Sequence, residues 1–238
     1  MSLESIDLDS GELEVVGQLV DASNASLLCR LHNNEDGTTR QVIYKPRIGE
    51  RPLWDFPEGT LSQREVAARV VAESLGWHIV PPTVWRDGPF GPGMVQEWID
   101  VDLGVDPVQL VQSDDELLRR IAVFDALINN GDRKGGHLLP DANGAVWGID
   151  HGVTFAVSGK LRTVLWQWRG EPIPEGLLSD VERWLGDWDG GTEWLVTLNT
   201  LLSAVEVAAL RARADELLLS RTHPEPSPDW PPIPWPPF

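Results

Sequence analysis

Two aspartates that flank a hairpin pattern are the residues of this sequence best suited to chemistry on a phosphate group. Asp132 lies in a polar loop after a long apolar segment, and Asp150 comes 18 positions later. The Asn143-Gly144 turn between two short apolar runs predicts a β-hairpin that brings both carboxylates to one end. One carboxylate can hold a divalent metal that bridges phosphates, while the other orients an attacking hydroxyl. The pair therefore predicts a phosphoryl-transfer site.

A mainly β half and a mainly helical half are predicted to position these aspartates in an α+β fold. Residues 1–100 show the alternation of an antiparallel sheet and one helix, whose start is indicated by the S-x-x-E capping pattern of Ser62 and Glu65. Residues 101–222 show mainly helical apolar spacing, and residues 223–238 form a proline-rich tail. The expected strands are 12–20, 26–31, 41–45, 80–85, 94–99, 137–139 and 145–149, and the expected helices are 62–75, 114–128, 176–188 and 192–220.

The charge balance excludes several classes of partner. Lys and Arg number 19 against 37 Asp and Glu, which gives a net charge of −18 and a field that repels nucleic acids and anionic lipid surfaces. No apolar run reaches the length of about 20 residues that a membrane helix needs. The acidic first residues lack the pattern of a secretory signal, and a single cysteine, Cys29, fits a reducing compartment. The sequence thus predicts a cytoplasmic protein.

Two motifs resemble those of a known kinase group. The strings Asp132-Arg133-Lys134-Gly135-Gly136-His137 and Asp150-His151-Gly152 are similar to the catalytic-loop and metal-binding motifs of phosphatidylinositol 3- and 4-kinases. The overall pattern also looks like an actinobacterial family related to these lipid kinases. The resemblance implies a two-lobed protein-kinase-like fold that transfers phosphate from ATP to a hydroxyl group with Mg²⁺ or Mn²⁺. It assigns Asp132 to acceptor deprotonation, Arg133 or Lys134 to charge neutralisation, and Asp150 with His137 to the metal.

The same resemblance assigns an ATP site to the first half. Lys45 ends a strand and is expected to bind phosphates while it pairs with Glu65. The alternative for Glu65 is that it closes the capping box with Ser62, in which case it cannot reach Lys45. The other residues carried over by position are Ser23 and Asn24 in a turn over the phosphates, and Gln96, Glu97 and Trp98 in the hinge that contacts adenine.

Two departures from the kinase pattern leave alternatives open. His137 replaces the usual metal-ligating asparagine, which favours Mn²⁺ over Mg²⁺ because imidazole suits softer ions. His151 replaces the usual phenylalanine. The competing functions are a nucleotide-binding pseudokinase and a nucleotidyltransferase.

A basic and aromatic stretch after the second motif is expected to meet the acceptor. Its cations, Lys160, Arg162 and Arg169, suit an acceptor that already carries phosphate, and the alternative is a packed tryptophan pair with solvated charges. The acceptor is expected to be a soluble polyol such as an inositol derivative, or a protein hydroxyl. The proline-rich tail is a candidate binding segment for a protein partner.

Overall fold

An antiparallel sheet and one long helix form the first half of the molecule. The computed structural model describes residues 7–19, 24–33 and 37–238. The sheet has five strands in the order β1-β2-β3-β5-β4, and all neighbours pair antiparallel. Its strands are β1 (Glu12–Gln18), β2 (Leu27–His32), β3 (Thr39–Pro46), β4 (Thr83–Gly88) and β5 (Gly91–Glu97), with helix α1 (Leu61–Ser74) between β3 and β4. The β4–β5 hairpin is tighter than the sequence predicted, because both strands extend into the segment expected as a loop.

Helices and one small hairpin form the second half, so the α+β prediction is confirmed. No helix in the described part of the chain has the length and apolar character needed to cross a membrane. The division of the chain at residues 100 and 222 stays a prediction. The elements are α2 (Pro107–Gln112), α3 (Glu116–Ile128), the hairpin β6 (Leu138–Pro140) and β7 (Val146–Gly148), α4 (Glu175–Gly186), α5 (Glu193–Leu201) and α6 (Ala204–Ser220).

Helix α1 belongs to the core of the second half although it lies in the first half of the sequence. A small cluster under the sheet includes the fully buried Cys29 and Tyr44. A larger cluster joins the buried face of α1, from Ala67 to Leu75, to α3, α4 and α6. Burial of that apolar face fixes α1 against the helical half. Any side chain that α1 points toward the sheet is thereby held between the two halves.

Two helix predictions are wrong in detail. The segment expected as one helix over 192–220 is two helices, because Ser203 starts α6 with a capping box to Glu206 and interrupts the run. The short helix α2, which begins after the capping residue Asp106, was not predicted.

The Ser62–Glu65 capping box is also wrong. Helix α1 begins at Leu61, one residue before Ser62, and its first N–H groups are bonded by a residue from a distant loop. The Glu50 carboxylate accepts from Leu61 N at 3.0 Å, from Ser62 N at 2.8 Å and from the Ser62 hydroxyl at 2.6 Å. Its negative charge also suits the positive end of the helix dipole. Glu50 therefore caps α1, and Glu65 is free to point elsewhere.

Replacing Glu50 with alanine is expected to destabilise the protein. The change leaves the N–H groups of Leu61 and Ser62 without their carboxylate partner, and loss of such a cap typically costs about 0.5–2 kcal/mol. Equilibrium unfolding in urea measures the loss of unfolding free energy. The matched control is Glu58→Ala, at an exposed site nearby, for which we expect a change within about 0.5 kcal/mol. Equal stabilities for the two variants would contradict capping by Glu50.

Candidate active site

A cleft between the sheet and the helical half brings together five of the residues selected from the sequence. Its volume is about 140 Å³. Strands β3 and β5 contribute one wall, and the catalytic loop with the end of the β6–β7 hairpin contributes the other. The lining residues are Leu19, Asn24, Ser26, Ile43, Lys45, Gln96, His137, Ile149 and Asp150.

Lys45 joins the two halves across this cleft. Along β3, Tyr44 faces the core while Lys45 points to the opposite side, as the alternation of a strand requires. Its ammonium lies 2.5 Å from Glu65 Oε1 on α1 and 2.9 Å from Asp150 Oδ1 after β7. Burial alone would lower the pKa of Lys45, but the charges of Asp150 and Glu65 outweigh it and raise the pKa. Lys45 is therefore a protonated ammonium that two carboxylates fix in position.

Glu65 is fixed from two directions. Its Oε1 accepts from Lys45, and its Oε2 accepts the backbone N–H of His151 at 3.2 Å. Burial raises the pKa of this carboxyl, and the neighbouring Lys45 charge acts against that rise. Between the two roles left open by the sequence, the structure shows the pairing with Lys45.

Asp150 has a left-handed backbone conformation at the mouth of the cleft. Its φ is 60°, in the left-handed region that few residues other than glycine adopt. One carboxylate oxygen accepts from Lys45, and Oδ2 lies 3.3 Å from His137 Nε2. The Lys45 ammonium holds the pKa of Asp150 well below its usual range, against the effect of burial. Asp150 is thus a permanently ionised carboxylate that faces the cleft.

Asp132 lies in the loop that leaves α3. Asn129 ends the helix with φ of 53°, and the Asn130 side chain accepts the Asp132 N–H at 3.0 Å. The Asp132 carboxylate lies 3.4 Å from Lys134 Nζ. Burial raises the pKa of Asp132, the Lys134 charge lowers it, and the net shift is upward. A carboxylate with a raised pKa is a better proton acceptor than an ordinary surface aspartate.

His137 lies beside Asp150 in this structure. Its Nδ1 accepts the Lys134 N–H at 3.4 Å, which leaves the ring proton on Nε2, the atom that faces Asp150. Burial lowers the pKa of His137 to about 4, so the ring is neutral near pH 7. A neutral imidazole can bind a metal, but binding through Nε2 requires the other tautomer.

Arg133 has a different role from the one assigned by resemblance. Its side chain has no exposed surface, and its guanidinium binds the Asp125 carboxylate at 2.9 and 3.0 Å. It also donates to the backbone oxygen of Ile149 at 2.8 Å and lies 2.7 Å from His151 Nε2. An enclosed guanidinium cannot contact a transferred phosphate. We therefore correct its assignment from charge neutralisation, which is left to Lys134, to positioning of the two aspartate loops.

Asp125 is the residue that the sequence analysis missed. It is fully buried on α3, and it accepts from both Arg133 and the Asn130 amide, at 2.9 Å for the latter. A single aspartate within a helix that is apolar nearly all round was the available signal, because a buried carboxylate requires a cationic partner.

Only some of the residues assigned to the phosphate turn and to the hinge line the cleft. Asn24 lines the cleft, and Ser23 lies outside the described residues. Gln96 also lines the cleft. The N–H groups of Glu97 and Trp98 already donate to backbone oxygens, at 2.9 and 3.2 Å, so neither is free to donate to adenine. The hinge assignment stays a prediction, with Gln96 the best placed of the three.

The three cations expected to bind a phosphate group on the acceptor do not form one exposed patch. Lys160 is buried, pairs with Asp55 and lies 4.8 Å from the centre of the Trp230 ring. Arg162 donates to the backbone of the C-terminal tail, and Arg169 is exposed. This arrangement does not support the prediction that Lys160, Arg162 and Arg169 together bind a phosphate group on the acceptor.

The metal-ligating side chains of the cleft suit a divalent ion that binds together with the substrate. Among residues 7–19, 24–33 and 37–238, no group of three or more His, Cys, Asp or Glu side chains is placed to hold a metal ion. Asp150 and His137 provide one carboxylate and one imidazole. Mg²⁺ commonly takes one or two protein carboxylates and completes its coordination with water and substrate phosphates. The residues present therefore fit a divalent ion bound together with a nucleotide.

One relative identifies the family. The Mycobacterium tuberculosis protein Rv2133c is 42% identical over 266 aligned positions, which cover 97% of this chain and 94% of that protein. This chain belongs to the Rv2133c family. No family model matches the sequence.

Solved structures with a similar fold include a kinase. The structure of hydra Fam20 with sugar has a TM-score of 0.53 and 15% identity, and the match covers 89% of this chain and 85% of that one. The Helicobacter pylori proinflammatory kinase CtkA has a TM-score of 0.50 and 13% identity, covering 90% and 93%. At these identities the likeness concerns the fold alone. The predicted kinase-like fold is confirmed for this member of the Rv2133c family.

Breaking the buried pair under the site is expected to destabilise the fold strongly. Asp125→Ala leaves the Arg133 guanidinium enclosed and unpaired, which typically costs about 3–5 kcal/mol. For a chain of this size the melting temperature should fall by roughly 10 °C. Thermal unfolding measures the shift, and the control Glu182→Ala, at an exposed site of α4, should barely change it. A fall no larger than that of the control would show that the pair does not stabilise the loops.

Proposed function

We propose that this protein is an ATP-dependent phosphotransferase that acts on a hydroxyl group. The observation that carries the proposal is the position of Lys45 between Glu65 and Asp150, at 2.5 and 2.9 Å, in the cleft between the sheet and the helical half. Asp132 is close enough to Asp150 for the Asp150 charge to raise its pKa. A buried cation, an ionised carboxylate and a carboxyl with a raised pKa are the three groups that phosphoryl transfer requires of the protein.

Lys45 is suited to bind the phosphates of ATP. Its bonds to Glu65 and Asp150 fix the ammonium in one position, so that little side-chain entropy remains to be lost on binding. Glu65 is in turn fixed by His151, and Asn24 and Gln96 line the same cleft. Ligand sites usually exceed about 300 Å³, more than the 140 Å³ of this cleft. ATP binding therefore involves a widening of the cleft between the two halves.

Asp150 is the residue best placed to hold a divalent metal, with His137 beside it. Such an ion, when bound, neutralises charge that develops on the phosphates. His137 Nε2 lies 3.3 Å from Asp150 Oδ2, so the imidazole ring is next to the carboxylate that would hold the ion. With these side chains, Mg²⁺ requires only a carboxylate oxygen, whereas an ion that also binds imidazole, such as Mn²⁺, requires the tautomer change in His137.

Asp132 accepts the proton of the acceptor hydroxyl. Its raised pKa brings it closer to the pH at which a general base is most effective. Lys134 Nζ, 3.4 Å from the Asp132 carboxylate, supplies the positive charge for the transferred group. The Asp132–Lys134 pair therefore supplies both a base for the acceptor proton and a positive charge for the transferred phosphoryl group.

The acceptor is proposed to be a soluble hydroxyl compound. A net charge of −18 disfavours binding to an anionic membrane surface. The resemblance to phosphatidylinositol 3- and 4-kinases therefore stays an interpretation of the motifs, and an inositol derivative free in solution is the acceptor class that agrees with both observations.

Replacing Asp132 is expected to lower transfer without loss of ATP binding. Asp132→Asn removes the proton acceptor and should reduce label transfer from γ-labelled ATP by about 10²- to 10⁴-fold. ATP affinity should stay within about threefold of the parent, since the phosphates are held by other groups. The matched control is Asp215→Asn, at an exposed site of α6, which should transfer at the parent rate.

Three outcomes would contradict this account. Transfer of the α label would indicate a nucleotidyltransferase, and ATP binding without transfer of either label would indicate a pseudokinase. Full activity of Asp132→Asn would show that another group takes the proton.

A further inference from the structure

The C-terminal tail lies along the segment that follows the second aspartate motif. Trp230 stacks near Trp54 with ring centres 6.4 Å apart and faces the Lys160 ammonium. The Pro232 carbonyl accepts from the backbone N–H of Thr163 at 3.0 Å and from the Trp166 indole at 2.8 Å. The tail therefore packs on the chain's own surface, and a protein partner for it stays a prediction.

The tail runs along the outer side of the segment that pairs with the catalytic loop. On the inner edge of the segment, Arg133 N donates to Arg162 O and Val164 N donates to Arg133 O, each at 3.1 Å. Thr163 N points to the other edge, as the alternation of an extended chain requires, and donates to Pro232. An extended peptide that bound here by strand addition would use this same outer edge.

The last residues of the tail reach the catalytic loop itself. Gly135 N, three positions after Asp132, donates to Pro237 O at 2.8 Å. The Phe238 ring lies directly against Gly135, so closely that a Cβ atom at this position would overlap the ring. The fit depends on the absence of a side chain at this position.

We propose that residues 230–238 occupy the groove in which an extended polypeptide acceptor would bind, so that the protein phosphorylates small hydroxyl compounds and not proteins. This inference rests on the proposed phosphotransferase function. Four donors of the groove, the N–H groups of Gly135 and Thr163 and the side chains of Arg162 and Trp166, are already bound by tail carbonyls. Proline has no N–H group, so this tail satisfies the donors of the groove and offers few in return.

Full-length variants can displace the tail from either end. Gly135→Ala places a methyl group against Phe238, and Gly136→Ala is its control, because a Cβ there meets nothing within 4 Å. Trp230→Ala removes the ring that covers Lys160, and Trp235→Ala is its control, because Trp235 is 85% exposed. Hydrogen exchange at the Gly135 and Thr163 amides reports whether the tail has left, independently of activity.

The acceptor assay compares a mixture of unstructured serine- and threonine-containing peptides with myo-inositol and glycerol, each with γ-labelled ATP. We expect no peptide labelling by the parent or by the two controls. Both displaced variants should exchange the two amides at least tenfold faster and label peptides at least tenfold more than the parent. Labelling of a polyol by the parent would support the inference further.

The inference is overturned if the parent labels peptides as well as the displaced variants do. Faster amide exchange without any gain in peptide labelling would also overturn it, as would unchanged exchange in both variants. Absence of γ label in every acceptor and every variant, together with no ATP binding by the parent, would instead refute the phosphotransferase function on which the inference rests.

Discussion

A single ammonium group determines how the two halves of this molecule meet. The Lys45 side chain is largely enclosed, with 15% of its surface exposed, and such a cation needs compensating charge. Its two partners come from different parts of the fold, Glu65 from α1 and Asp150 from the loop after β7. These two ion pairs therefore hold the sheet, helix α1 and the hairpin against one another. Together with Asp132 these groups carry more negative than positive charge, which favours the arrival of a divalent cation with the nucleotide.

A layer of residues with no access to the cleft supports this charged group. Helix α1 is packed into the core of the helical half, and His151 fixes Glu65 through its backbone N–H. Below it, the enclosed Asp125–Arg133 pair connects α3 to both aspartate loops. On the outer side, the tail covers the segment that pairs with Arg133. In this kinase-like fold, buried contacts thus position the charged side chains that line the cleft.

Local sequence patterns predicted much of the candidate site. Contacts between segments that are distant in the sequence could not be predicted in this way. The position of Lys45 at the end of a predicted strand, together with the motif resemblance, selected this lysine, and the Asn143-Gly144 turn predicted the hairpin that precedes Asp150. The capping of α1 by Glu50 was missed because the carboxylate comes from a loop outside the helix, and a plausible local capping box competed with it. The tail was read as a free proline-rich segment because its partners are more than 60 residues away.

The most direct test of the account is a double-mutant cycle on ATP affinity at Lys45 and Glu65. Calorimetric titration of ATP would be carried out with the parent, Lys45→Met, Glu65→Gln and the double variant, each first shown to be folded by thermal unfolding. If Glu65 acts by holding Lys45, each single variant should lose at least about tenfold in affinity, or about 1.4 kcal/mol. The double variant should then lose no more than Lys45→Met alone. Unchanged affinity in Lys45→Met, or losses that simply add, would contradict the account.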